Sequence, residues 1–383
     1  MPASVTEVRT YLLEEPGGSA LRSLSSTDPI PYGATVRLEV EVTADEPLHP
    51  LSVGVTTDGV ARGLTLHMLP DETGVTYAQE VAFPWGAVSG GQLDGLTAPP
   101  TFPLTGVPEL GGGEYVLHIK PWPLSVGAEG EDEPSYDTSL QLAAPTGGGA
   151  APEIVALDSG LANGRVLPGQ PWRPSVQVAD TDNDVVAVVF STYIGGMMRW
   201  WLMRNDGRFG SEVSADTYSF LRVGGDWWDR WEINWDQDVA ATFSVQALDA
   251  RGNWSAPARF GYTIAHSEAP LWSMPPDPDG PNITELTASH TDAPPACYLV
   301  SATCDDSQAY VCGRILGNHG QNFAMFDDGV WPDGTAGDGV FSQQLWFAFS
   351  APQRNWEVLC YAVPKAGSLC TGLRKVISLP SLG

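Results

Sequence analysis

The chain has 383 residues and sets 19 Lys and Arg against 46 Asp and Glu, a net charge of −27. A field of that sign repels nucleic acid and anionic membrane surfaces, which argues against both as partners. Apolar residues make up 43%, including 14 Trp, so disorder is excluded, and no apolar run is long enough for a transmembrane segment.

The first predicted element is the apolar run 8–13, and the clearest strand is 36–42. In the latter, Val36, Leu38, Val40 and Val42 alternate with Arg37, Glu39 and Glu41, the period of a strand with one buried face. Strands follow at 51–57 and 64–69, on either side of the turn-prone Asp58-Gly59, and at 77–83. A Gly- and Pro-rich insertion at 84–114 precedes closing strands at 115–119 and 139–143. The linker Pro145-Thr146-Gly147-Gly148-Gly149-Ala150-Ala151-Pro152 leads to strands at 175–179, 185–192, 199–204, 217–223, 241–248 and 259–264. A second Pro-rich joint at 270–278 leads into the last third. Pro-rich joints extend rather than flex, which predicts a semi-rigid row of domains at 1–147, 148–267 and 268–383. With 42 Gly, 32 Pro and no amphipathic helix, each domain reads as an antiparallel β-sandwich.

An internal repeat supports three units. Leu66-His67-Met68-Leu69-Pro70-Asp71, Trp201-Leu202-Met203-Arg204-Asn205-Asp206 and Phe323-Ala324-Met325-Phe326-Asp327-Asp328 each place a methionine three positions before an aspartate. An aromatic residue follows in the next apolar run: Tyr77, Tyr218 and Phe341. Three copies give about 130 residues each, the size of one small domain. Repeated binding or structural modules explain such a pattern more readily than an enzyme does.

The third copy continues as Phe326-Asp327-Asp328-Gly329-Val330-Trp331-Pro332-Asp333-Gly334-Thr335-Ala336-Gly337-Asp338-Gly339-Val340-Phe341-Ser342. This resembles a loop of immunoglobulin-like domains in bacterial and archaeal surface proteins, where Asp-Asp-Gly, Ala-Gly-Asp-Gly, an aromatic residue and Ser recur. Asp249-Ala250-Arg251-Gly252-Asn253-Trp254-Ser255 is similar to that family's F–G turn, and Asp180-Thr181-Asp182-Asn183-Asp184 to its B–C turn. Domain one lacks the Ala-Gly-Asp-Gly element. The resemblance implies three tandem immunoglobulin-like sandwiches with a surface or assembly role, and it implies no reaction.

Two groups of residues are candidate sites. Asp327, Asp328, Asp333 and Asp338 fall within twelve residues and could supply oxygens to calcium, though not at EF-hand spacing. The alternative is that these Asp and Gly residues make Asx-turns and positive-φ corners. The triplet Asp180, Asp182 and Asp184 poses the same choice, with a tight turn favoured. The second group is Trp227, Trp228, Trp231 and Trp235, which with Trp200 and Trp201 give six tryptophans in about 40 residues, more than one small core hides. Neighbouring rings on a strand point to opposite faces, so a contact with another protein subunit or domain is expected, with internal packing or a glycan platform as alternatives.

Enzymatic signatures are missing. The sequence has no Gly-x-Ser-x-Gly elbow, His-Glu-x-x-His, P-loop or dinucleotide fingerprint, and its six histidines are scattered. No cofactor is required, calcium being the one candidate. Cys297, Cys304, Cys312, Cys360 and Cys370 all lie in the last third, without zinc spacing. A disulfide from Cys360 to Cys297 or Cys304 is expected if the protein matures in an oxidising place; buried free thiols are the alternative. The first seven residues show no signal peptide, so such a segment was either removed or not used. These features predict a non-catalytic structural or adhesive component of an extracellular or cell-surface assembly, partnered by other subunits. A virion or tail-like particle component is the first alternative and a glycan-binding module the second.

Overall fold

The computed structural model describes residues 3–13, 20–25, 27–45, 48, 51–57, 60–70, 75–82, 86–87, 91–93, 97–99, 101, 112–121, 135–205, 217–219, 221–224, 237–290, 297–316, 322–328, 333–346, 356–366 and 369–379. It is all-β, with three tandem immunoglobulin-like sandwiches. No helix among the described residues is long and apolar enough to cross a membrane.

Domain one contains β1 (Ser4–Leu13), β2 (Ala20–Leu24), β3 (Pro29–Ile30), β4 (Thr35–Thr43), β5 (Leu51–Thr57) and β6 (Val60–Pro70). It continues with β7 (Thr76–Ala82), β8 (Gly86–Ala87), β9 (Gly91–Leu93), β10 (Gly113–Lys120) and β11 (Tyr136–Leu142). One layer runs β2-β1-β4-β7 and the other β6-β5-β10-β11-β3. β6 belongs to both, pairing with β5 along most of its length and with β7 through Leu69 and Pro70. The alternation seen in the sequence places Val36, Leu38, Val40 and Val42 of β4 in the core, against Tyr115, Leu117 and Ile119 of β10.

Domain two contains β12 (Glu153–Asp158), β13 (Arg165–Val166), β14 (Pro171–Trp172), β15 (Ser175–Ala179), β16 (Val185–Ile194) and β17 (Met197–Leu202). It continues with β18 (Arg204–Asn205), β19 (Thr217–Ser219), β20 (Arg222–Val223), β21 (Val239–Asp249) and β22 (Ala258–Ile264). Its layers run β12-β15-β19-β18 and β13-β22-β21-β16-β17, the second extended by β9 of domain one. Trp172 centres the core, 5.1 Å from the Tyr262 ring and 5.7 Å from that of Phe243. The strand expected over 217–223 is broken in two. β20 leaves to pair with β14, carrying Arg222, which is buried over the Trp201 ring at 4.8 Å and donates to Thr192 Oγ1 at 3.3 Å.

Domain three contains β23 (Ile283–His290), β24 (Cys297–Cys304), β25 (Tyr310–Leu316), β26 (Asn322–Met325), β27 (Val340–Trp346), β28 (Trp356–Val363) and β29 (Lys375–Leu379). Its layers run β23-β24-β27 and β26-β25-β28-β29, the same plan as the other two.

The repeated methionine has a packing reason. Met68, Met203 and Met325 lie at the same place in the three domains, at or just beyond the edge strand that precedes the crossover between layers, and each is buried in its own core. Tyr77, Tyr218 and Phe341 lie on the strand after the crossover and meet the same core. A flexible thioether filling the irregular gap where the chain changes layers suits methionine at that site.

The expected disulfide is absent from the described residues. Cys304, Cys312, Cys360 and Cys370 are free thiols, and the Cys297 side chain lies outside the described set. Cys360 points into the core, where its Sγ lies 3.6 Å from Met325 Sδ. Cys312 is on the opposite face of the layer, opposite Tyr361 in register. Burial pushes the Cys360 thiol up to about 12 and that of Cys312 higher still, so both resist ionisation and attack. Alkylation of the native protein at mild alkaline pH should therefore leave Cys312 and Cys360 unmodified, while unreduced, unfolded chains take up label at Cys304, Cys312, Cys360 and Cys370. A disulfide-linked peptide pair containing any two of these four would contradict that assignment.

Candidate functional site

Trp227, Trp228, Trp231 and Trp235 lie outside the described residues. The tryptophans preceding them do follow the alternation argument. Trp201 enters the core of domain two, 6.1 Å from the Phe190 ring. Trp200 points the other way and is 7% exposed in a second cluster on the outer face of the sheet.

That second cluster is an interdomain joint. It gathers Ala187 and Val189 of β16, Met198 and Trp200 of β17 and Leu248 of β21, and Tyr32 of domain one packs on it beside Val186. Tyr32 sits in the turn between β3 and β4, closed by the Ala34 N–H donating to the Pro31 carbonyl at 3.0 Å. Gly33 has φ 76°, and a side chain there would collide with Val186. Only glycine combines that backbone with so close an approach.

The linker is held rather than loose. Gly147 donates to the Arg251 carbonyl at 3.0 Å, and Asn253 Nδ2 donates to the Gly148 carbonyl at 2.7 Å. The Arg251 guanidinium meets Asp182 at 2.9 Å and Asp184 at 3.1 Å. Asp180 accepts the Asp184 N–H at 2.8 Å. The Asp triplet is therefore a tight turn bridged to the β21–β22 hairpin by an arginine. In that hairpin Asp249 is fully buried and accepts N–H groups from Arg251 at 2.9 Å and Asn253 at 2.7 Å, while Gly252 takes φ 92°. The insertion of domain one also reaches across: β9 pairs with β17, Trp200 facing Gly91, and Arg259 donates to the Pro99 carbonyl at 3.3 Å.

The second joint repeats the first. The turn between β13 and β14 is closed by the Gln170 N–H donating to the Leu167 carbonyl at 3.0 Å. Gly169 has φ 83°, and a side chain there would collide with Trp272 and the Tyr361 hydroxyl. The Tyr361 hydroxyl donates to the Gly169 carbonyl at 2.8 Å, and Asn322 Nδ2 donates to the Gly224 carbonyl at 3.1 Å. Val223, Leu271, Cys312, Tyr361 and Val363 form a buried apolar cluster there, and Arg314 stacks on Trp272 at 3.9 Å. Burial holds the Tyr361 phenol well above its ordinary range, so it stays a donor.

In both joints a glycine turn of one domain presses on the outer face of the next domain's second layer. The turns follow equivalent strands, since β3 pairs parallel with β11 and β13 pairs parallel with β22. The equivalent face of domain one has another character: Val116, His118 and Lys120 of β10 alternate with the buried residues, and His118 Nδ1 pairs with Asp137 at 2.8 Å. The expected contact of the tryptophan group with another subunit or domain is met at the first joint by Trp200, but the glycine turns that form both joints were not anticipated. Their signal was the unbroken apolar run Val185-Val186-Ala187-Val188-Val189-Phe190, which requires cover on both faces of the strand.

In the Asp-rich loop, Asp327, Asp333 and Asp338 come together, with carboxylate oxygens within 4.8 Å of one another; Asp328 is not part of the group. Asp327 also organises the turn. Its carboxylate accepts N–H groups from Gly337 at 2.5 Å, Asp338 at 3.2 Å and Gly339 at 3.0 Å. Asp333 is buried and Asp338 exposed.

No protein-family model matches the chain, and no curated protein matches it. Among solved structures it is similar to the chicken CNTN1 FN1-FN3 domains, at 10% identity over 98% of this chain and 96% of that one, with a TM-score of 0.21. It is similar to a tetra-tandem repeat in the extending region of a large adhesion protein, at 13% identity over 93% and 73% of the two chains, TM-score 0.21. A third likeness is to the three N-terminal domains of the bacteriophage RB49 Highly Immunogenic Outer Capsid protein, at 10% identity over the whole of both chains, TM-score 0.17. Scores this low transfer no function, and the fold assignment rests on the strand order of this chain.

Proposed function

We propose that this chain is a non-catalytic structural component of an extracellular or cell-surface assembly, in which three stiffly joined sandwiches act as a spacer between protein partners. The repeated joint carries this reading. Two joints with buried apolar contacts and a positive-φ glycine at the centre favour a fixed spacing over independent domain motion. A virion or tail-like particle component is the second reading. The free Cys304, Cys312, Cys360 and Cys370 support it, because a particle assembled in a reducing compartment keeps its thiols.

Replacing Gly169 by Val should uncouple domains two and three without unfolding either, seen as faster proteolysis at 267–280 and separate calorimetric transitions. Tyr361→Phe removes one buried hydrogen bond and should destabilise the joint by about 1–3 kcal/mol. If both variants keep the wild-type proteolysis rate and a single transition, the joint does not hold the spacing.

A calcium ion held by Asp327, Asp333 and Asp338 is an accessory part of this proposal. Three neighbouring carboxylates repel one another, and a hard divalent cation with oxygen ligands relieves that repulsion. Millimolar calcium should then raise the melting temperature of domain three relative to chelator, by mass action on the folded form alone. Asp338→Asn should abolish that response, whereas Asp327→Asn should lower stability with or without calcium, because one of the two accepting oxygens becomes an NH2 group and the other loses its charge. Equal melting in calcium and chelator leaves Asp327 as a turn cap only.

A further inference from the structure

Two of the chain's nine asparagines begin an Asn-x-Ser/Thr triplet with no proline in the middle: Asn253-Trp254-Ser255 and Asn282-Ile283-Thr284. That triplet is the acceptor for an N-linked sugar and ordinarily sits in a surface loop of a secreted protein. The reaction joins Asn Nδ2 to the anomeric carbon of a sugar activated as a diphosphate ester. An N–C bond forms, the C–O bond to phosphate breaks, the diphosphate leaves and one amide proton is lost. The product keeps a single N–H and carries a sugar ring in place of the other hydrogen.

At Asn253 the fold engages both hydrogens. Nδ2 donates to the Gly148 carbonyl at 2.7 Å and to Asp249 Oδ2 at 2.7 Å. Asp249 is fully buried, and its other oxygen accepts the Asn253 N–H at 2.7 Å. The third residue of the triplet is engaged as well. Ser255 is buried, its Oγ accepting the Ala247 N–H at 2.9 Å and donating to the Ala256 carbonyl at 3.1 Å. Nor is there room for a ring: a Cβ at Gly252 would meet Pro145 at 2.7 Å, and one at Gly149 would collide with Arg251 and Asp182. With one hydrogen replaced, the surviving N–H stays with the buried carboxylate, where a lost donor costs most. The bond given up is the one to Gly148, and the linker is displaced.

Asn282 lies at the other linker and differs in one respect. Its Nδ2 donates once, to Asp305 Oδ2 at 2.8 Å, and its other hydrogen has no partner among the described residues. Its Oδ1 accepts the Leu373 N–H at 2.8 Å, a bond that substitution at nitrogen leaves in place. Thr284 is exposed, and its hydroxyl donates to the Thr303 carbonyl at 3.2 Å.

We propose that N-glycosylation at Asn253 and closure of the first linker onto the β21–β22 hairpin exclude one another, so that the folded chain withdraws this acceptor and takes a sugar at Asn282 alone. A chain modified at Asn253 before folding loses the linker clamp while its sandwiches fold. The inference rests on the extracellular or cell-surface reading only for the chain's encounter with a glycosylating enzyme. The chemistry of the two amides is the same wherever the protein resides, so the two readings fail by different tests.

The experiment treats the native full-length chain with a soluble N-glucosyltransferase and UDP-glucose, which place one hexose on the same triplet, and locates the hexose by peptide mass. Each rate is divided by that of the same asparagine in a synthetic peptide, 247–259 or 276–288. The relative rate at Asn253 should be at least about tenfold below that at Asn282, because attack there waits for local opening. Gly149→Val forces the linker away from Arg251 and should bring the Asn253 rate up to that of Asn282. Equal relative rates at the two sites in the wild-type chain would overturn the proposal, as would a Gly149→Val chain no faster at Asn253 than wild type. Failure of the native chain to accept hexose at Asn282 would overturn it too.

Discussion

A glycine turn pressed flat against the neighbouring domain's sheet is the contact on which the rest of this molecule depends. At Gly33 and Gly169 the backbone takes positive φ with no room for a Cβ, so two domains approach to main-chain distance. That closeness requires the receiving sheet to be apolar on its outer face as well as its inner one. β16 meets the requirement with Val188 and Phe190 inward and Ala187 and Val189 outward. β28 does so with Val358, Cys360 and Ala362 inward and Tyr361 and Val363 outward. A fold assembled from ordinary sandwiches thereby becomes a chain with specified joints.

Much of this was legible in the sequence, and the physics separates what was from what was not. Period-two alternation at 36–42 and the methionine-to-aromatic repeat report on contacts within one domain, and both correspond to core packing. The joints depend on what a different domain supplies. Nothing local at Pro168-Gly169 distinguishes a solvent turn from one facing Tyr361, whose hydroxyl is 192 residues away in sequence. The break at 217–223 has the same origin, since β20 is drawn off to pair with β14. The expected disulfide failed because strand register puts Cys360 toward Met325, so clustering of cysteines along the chain did not translate into adjacency of thiols.

The acidity of the chain also acquires a structural meaning. Asp180, Asp249, Asp327 and Asp338 each accept backbone N–H groups in turns, and Asp305 accepts that of Asn282 from a segment distant in the chain. Asp305 is held below its ordinary range chiefly by the Asn282 N–H. These carboxylates satisfy donors that tight turns would otherwise leave unpaired. In domain two, Arg251 adds a bridge from the hairpin to the Asp turn, so charge there links two loops and the linker rather than forming a cation site. The Asp-rich loop of domain three differs in bringing three carboxylates together, with Asp333 buried among them.

The central claim is that domains two and three move as one body. Residual dipolar couplings measured on the full chain test it most directly, because each domain core reports its own orientation. The account predicts that a single alignment tensor fits the cores built on Phe190 and Phe243 in domain two and on Val300 and Val358 in domain three. Separate tensors of different magnitude for the two cores would contradict it.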